Sequence, residues 1–139
     1  MEYHDDAEPR LVELPKILDP RGNLSFIEGG KYLPFEIERV YWIYDVPGDK
    51  LRHGRALRHT AEMIVALSGA FDVVLERHDG EPQRFHLNRG YRGLVVPPMT
   101  WRVIDNFSTN SVAMVLASTT YDEADYIRDY EQFKSQADV

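Results

Sequence analysis

The feature that most constrains this chain is the regular spacing of its turn signals. Pro20-Arg21-Gly22, Gly29-Gly30, Pro47-Gly48-Asp49, Ser68-Gly69, His78-Asp79-Gly80, Arg89-Gly90 and Pro97-Pro98 punctuate it repeatedly. Such clusters mark turns and loops because glycine tolerates unusual backbone angles and proline fixes its own. Between them lie short runs of strand formers at 24–27, 37–44, 62–67, 71–76, 84–87, 94–96, 101–106 and 111–117. Short strands recurring about every ten residues indicate an all-β sandwich or barrel. The runs at 71–77 and 83–87 flank Asp79-Gly80 and predict a hairpin. Only the end reads as helix, over 122–133, where Tyr126, Ile127, Tyr130 and Phe133 fall on one helical face. Asp122, Glu123 and Asp125 suit its positive end. The expected organisation is one domain over 1–139, with 1–8 as a flexible N-terminal extension.

Composition removes several function classes. A net charge of −7 argues against a broad cationic face for polymeric nucleic acid. The absence of cysteine excludes disulfides, thiolate metal sites and cysteine nucleophiles. No run approaches the roughly 18 apolar residues of a membrane helix. The acidic start MEYHDDAEPR fits neither a secretion signal nor a transit peptide. The expectation is a soluble cytoplasmic protein.

The strand pattern matches the two-motif frame of cupins, which are double-stranded β-helix (jelly-roll) barrels. Glu62 is followed by six residues and then Gly69, as in the first cupin motif, and Pro97, Met99, Arg102 and Asn106 occupy the frame of the second. The imidazole positions of the first motif hold Arg55 and Leu57, and that of the second holds Arg102. A glutamate among arginines cannot bind a transition metal, which needs about three protein donors. The reading is a cupin-like barrel with no metal.

The residues that replace the ligands point to another chemistry. In an extended strand, side chains alternate, so His53, Arg55, Leu57 and His59 are expected to face the interior, opposite Arg102. A guanidinium there either pairs internally with Glu62 or meets an anionic ligand. Arg102 beside Trp101 suits a phosphorylated or nucleotide ligand. Arg39 and Tyr41 share one face of the run at 37–44, and Arg21 sits in a turn entering a strand. Each of these has an ordinary reading as edge strand or solvated turn.

The segments DPRGNLSFIEG (19–29), PFEIERVYWIYDVP (34–47), ALSGAFDVVL (66–75), LVVPPMTWRVIDNF (94–107) and LASTTYDEADYIRDYEQF (116–133) carry a resemblance over nearly the whole chain. They resemble the sugar 3,4-ketoisomerases that act on dTDP-4-keto-6-deoxyglucose, small cupins related to the C-terminal domain of WxcM-like proteins. The resemblance implies transfer of the keto group from C4 to C3 through an enediol, in deoxy-aminosugar biosynthesis. It implies no cofactor, a dTDP-linked keto-deoxysugar as partner, no membrane association, and a homodimer with exchanged N-terminal strands. The stretch Arg52-His53-Gly54-Arg55-Ala56-Leu57-Arg58-His59 departs from the family pattern, because Arg55 stands where the usual base is a histidine. Arginine stays protonated and is a poor base, though it can stabilise an enediolate. The candidate catalytic residues are then His53, Arg55, His59 and Tyr41. The candidate binding residues are Arg21, Arg39, Arg52, Glu62, Trp101 and Arg102. A related isomerase or epimerase on a nucleotide-linked sugar, and a binding cupin without turnover, are the alternatives. The acidic residues concentrate near the ends of the chain and the arginines in its middle, so an acidic chain can still focus cations on one diphosphate.

Overall fold

The computed structural model describes residues 8–47 and 49–136, and for His53 the backbone alone. Of the extension expected over 1–8, residues 1–7 lie outside the described residues. One antiparallel sheet has the order β1 (Arg10–Glu13), β9 (Arg92–Val96), β6 (Glu62–Ser68), β11 (Val112–Ala117), β4 (Arg39–Tyr44). A second has the order β12 (Tyr126–Ile127), β5 (Arg52–Leu57), β10 (Trp101–Asp105), β7 (Phe71–Glu76), β8 (Gln83–Leu87). The pair β2 (Lys16–Ile17) and β3 (Leu24–Ser25) stands apart, and one short helix, α1 (Tyr130–Gln136), follows β12.

Alternating side chains assemble the core. Ile64 and Ala66 of β6, Leu94 and Val96 of β9, and Ala113 and Val115 of β11 meet Phe71, Val73 and Leu75 of β7, Leu87 of β8 and Ile104 of β10 in one buried cluster. The two sheets are therefore packed face to face, as the all-β reading requires. The next residues along the same strands point outward. Met63, Val65, Val95 and Leu116 are buried under Leu14, Leu33 and Phe35, which come from the N-terminal segment. The expected hairpin is present, with Phe71 opposite Leu87 and Leu75 opposite Gln83.

Gly69 closes the turn between β6 and β7 with φ at +68°, and a Cβ there would lie 2.6 Å from the Ser108 hydroxyl. In the second cupin-like motif the special backbone angles fall on Met99, at φ 54°, and on Asn106, at φ 55°.

The helix expected over 122–133 is not formed as such. Asp122 accepts a hydrogen bond from the Ala124 N–H and starts only a short 3-10 turn over Glu123–Asp125. Tyr126 and Ile127 then pair with Leu57 and Ala56 on the free edge of β5. An unpaired strand edge offers backbone partners that a helix forgoes, and here it outcompetes the helical periodicity. Helix resumes at Tyr130, where the Asp129 carboxylate accepts from the Glu131 N–H.

Candidate active site

Four strands aim charged or hydroxyl side chains at one point between the sheets. Glu62, at the start of β6, is fully buried. Its Oε1 pairs with Arg102 of β10, and its Oε2 accepts a hydrogen bond of 2.7 Å from the Tyr41 hydroxyl of β4. Arg55 Nη2 of β5 donates to the Tyr41 oxygen at 3.0 Å. Arg39 Nη2, one inward position before Tyr41, lies 4.0 Å from Glu62 Oε2. Two guanidiniums thus meet a single carboxylate, and a third reaches it through the phenol.

The electrostatics follow from this placement. Burial alone pushes the Arg102 pKa down, but Glu62 and then Tyr41 outweigh it, so the guanidinium stays charged. Burial, reinforced by the Glu62 charge, pushes the Tyr41 phenol well above its ordinary value, so the hydroxyl keeps its proton. One carboxylate does not use all the donors. Arg102 Nε and Nη2, and Arg39 Nε and Nη2, are buried without a hydrogen-bond partner. Buried donors are almost always satisfied in folded proteins, so this surplus marks a place where a ligand supplies the missing acceptors.

A cavity of about 260 Å³ opens beside the cluster, lined by Arg52, Gly54, Arg55, Arg102, Ile104 and Arg128 with Ile43 and Leu51. Arg102 and Arg55 form its inner wall, and the exposed Arg52 and Arg128 its rim. Arg128 is itself held at the rim by Glu123, at 2.9 Å, and lies over the Tyr126 ring. The Arg128 guanidinium and the Tyr121 hydroxyl hold the Glu123 carboxyl down at about 2. A larger groove of about 550 Å³ lies on the outward face of the first sheet, against Val65, Leu67 and Met114. It is separated from the charged cluster by the sheet itself.

Strict alternation along residues 53–59 fails at one place. Arg102 is opposite Arg55, but Ile104 is opposite Arg52, with a register shift between them. Such a bulge re-aims side chains, and it brings Arg52 to the same inward side as Arg55. The side chain of His53, the foremost base candidate, lies outside the described residues.

Known proteins are similar to this chain over nearly its whole length. Residues 7–138 match the family model described as FdtA: WxcM-like, C-terminal. The chain belongs to this family. It is 41% identical over 128 residues to the TDP-4-oxo-6-deoxy-alpha-D-glucose-3,4-oxoisomerase of Aneurinibacillus thermoaerophilus, covering 91% of each chain. Among solved structures it is similar to a sugar 3,4-ketoisomerase of Thermoanaerobacterium thermosaccharolyticum in complex with TDP, at 35% identity, 94% of each chain and a TM-score of 0.90. It is also similar to the TDP-quinovose 3,4-ketoisomerase of Campylobacter jejuni, at 35% identity, 91% of this chain and 97% of that one, and a TM-score of 0.86.

Of the candidate residues in this FdtA-family chain, Tyr41, Arg55, Glu62, Arg102 and Arg39 come together, and Arg52 joins them at the rim. Three do not. His59 follows the end of β5, is exposed, and gives its backbone N–H to Asp125 at 2.7 Å beside a separate cleft. Trp101 points outward, with its ring 5.5 Å from Tyr130 and 5.6 Å from Phe133, so it anchors the C-terminal helix. Arg21 is an exposed turn residue paired with Asp19 at 2.9 Å. Arg128 was missed. The run Tyr126-Ile127-Arg128 was part of the family resemblance, but a helical reading gave it no reason to face the cavity. Its pairing with β5 supplies that reason.

Proposed function

We propose that this protein is a dTDP-sugar 3,4-ketoisomerase, which moves the keto group of a dTDP-4-keto-6-deoxyhexose from C4 to C3. The observation that carries this reading is the 41% identity, over 91% of both chains, to an enzyme named for that reaction. The site has matching chemistry. Arg52 and Arg128 at the rim offer charge-assisted donors to a diphosphate. Arg102 presents two unpartnered donors beside the cavity, as stabilisation of a buried enediolate requires. Arg55, in place of a histidine, serves as a fixed positive charge and orients the Tyr41 hydroxyl rather than acting as a base. The product enters deoxy-aminosugar synthesis in the cytoplasm.

A homodimer belongs to the same reading. The outward face of β4 exposes Val40, Trp42 and Tyr44, and the N-terminal segment exposes Leu11, Ile17 and Leu18. Apolar side chains in such number are suited to burial against a second copy. The test of the function is incubation with TDP-4-keto-6-deoxyglucose followed by NMR of the sugar carbons. The expected result is loss of the C4 carbonyl and gain of one at C3. An unchanged sugar, bound but not converted, would leave only a binding role.

A further inference from the structure

Isomerisation of a 4-keto sugar needs a group that removes the proton from C3 and returns it to C4. Among the described side chains, the titratable groups on the walls of the cavity, Arg52, Arg55, Arg102 and Arg128, are all cations that hold their protons. His59 is elsewhere, pinned through its backbone to Asp125. From cavity-lining Arg55, among the described residues, a hydrogen-bonded path runs through a neutral hydroxyl to a buried carboxylate: Arg55 to the Tyr41 oxygen at 3.0 Å, and the Tyr41 hydroxyl to Glu62 Oε2 at 2.7 Å.

We propose that Glu62, acting through Tyr41, is the proton acceptor of the reaction. The proposal rests on the ketoisomerase reading and names the base within it. The C3–H bond breaks, and its electron pair forms the C3–C4 double bond while the C4 carbonyl pair moves to O4. The Tyr41 oxygen takes the C3 proton as its own phenolic proton passes to Glu62 Oε2. The O3 proton shifts to O4 within the enediolate. The relay then runs backwards and delivers a proton to C4 as O3 becomes the carbonyl. C3 is oxidised, C4 is reduced, and no other reactant is consumed.

Geometry supports the relay in two ways. A phenol that keeps its proton is suited to pass one along a hydrogen bond, and the raised Tyr41 pKa agrees with that role. Arg102 also solves the charge problem. Its Nη1 neutralises Glu62, while Nε and Nη2 are buried and unpartnered. As negative charge leaves Glu62 and appears on the enediolate, the same guanidinium serves both. Arg39 and Arg55 complete the cationic surround. Glu62 itself is fully buried, and in this relay it acts on the substrate through Tyr41.

The experiment compares Glu62→Gln, Glu62→Asp and Tyr41→Phe with the parent for conversion of TDP-4-keto-6-deoxyglucose, with TDP affinity measured alongside. Glu62→Gln keeps the shape but cannot take the proton, and it turns one of the two acceptors of Tyr41 and Arg102 into a donor. Its kcat is expected to fall at least about 100-fold, the usual share of a general base, with TDP still bound. Glu62→Asp keeps the carboxylate and is expected to retain more turnover than the Gln variant, although it packs worse. A purely structural Glu62 would give the opposite order, and that order overturns the proposal. Should Glu62→Gln fail to fold, Tyr41→Phe decides, since it leaves the Glu62–Arg102 pair in place and cuts the relay. Full turnover in Tyr41→Phe overturns the relay. A parent that binds TDP but never forms the 3-keto sugar overturns the ketoisomerase reading itself, and the relay with it.

Discussion

Two networks of charge lie on opposite faces of the second sheet, and they are built on opposite principles. The inner one joins Glu62, Arg102, Tyr41, Arg55 and Arg39. The outer one, on β7, β8 and β10, joins Asp72 and Asp105 to Arg84, with Asp72 also bonded to His86 and Asn106. In the outer network the acceptors match the donors, and the Arg84 side chain is 51% exposed. In the inner network Arg102 and Arg39 share one buried carboxylate, Arg55 reaches it through Tyr41, and four nitrogen atoms of Arg102 and Arg39 have no hydrogen-bond partner. A surplus of buried donors is costly to keep, so its presence in a small fold is a sign of a ligand. A matched and exposed network is only a sign of a sheet surface.

The comparison breaks most visibly at Arg102. In Arg102→Met, buried Glu62 loses its directly bonded cation and keeps only Arg39 at 4.0 Å, which costs up to about 3–5 kcal/mol. Denaturant unfolding checks this, and turnover should fall about 100-fold or more with the loss of the anion-facing donors. The double variant Glu62→Leu/Arg102→Met removes both charges. It is expected to recover most of the lost stability while remaining inactive. If the double variant is as unstable as the single one, the inner charges serve the fold, and the contrast between the networks disappears.

The next effect comes from the back of the strand that carries Arg55. A Cβ on Gly54 would lie 2.4 Å from the Trp101 ring. Gly54→Ala must therefore displace Trp101 or β5, at a cost of about 1–3 kcal/mol. Because Arg55 is the adjacent residue, turnover should fall together with the melting temperature. An unchanged kcat at a lowered melting temperature would show that Arg55 and the bulge tolerate movement. Smaller still is Arg84→Ala in the outer network. It should cost no more than about 1 kcal/mol and leave kcat untouched, by thermal melts and a turnover assay.

The strand plan was legible because it is written in periodicity. The run at 71–76 coincides with β7, and most of the others are displaced at their ends by one or two residues. Strands β1, β2 and β12 were not legible, since each is too short to show a pattern and exists only through the neighbour it pairs with, and β5 entered only as an extended stretch over 53–59. The same limit governs the site. Tyr41 and Arg39, and Glu62 and Arg102, were readable because uninterrupted strands alternate. Arg52 shared a side with Arg55 only through a bulge, which a two-residue period cannot anticipate. Trp101 beside Arg102 was read as a ligand contact, but neighbours on a strand face opposite ways, and the indole went to the helix. The surplus of donors was the least legible feature, because it depends on how many acceptors reach the same point.

The smallest effect tests the outer network by pH. Burial pushes the Asp72 carboxyl up, but hydrogen bonds from Asn106, His86 and Arg84 outweigh it and hold its pKa below the ordinary 3.8. A carboxylate with a lowered folded-state pKa adds stability that is fully present above its unfolded value. That stability is lost as the pH falls through the folded one. Asp72→Asn should therefore flatten the decline in stability below about pH 4, while costing less than about 1 kcal/mol near neutrality, because its partners are half exposed and screened. Arg84 keeps Asp105 as a partner in the variant, so the sheet edge stays paired. Urea titrations of parent and variant from pH 3 to pH 7 measure the difference. A parent and variant with parallel pH profiles would mean that Asp72 titrates alike in both states, and the outer network would then contribute nothing that depends on its charge.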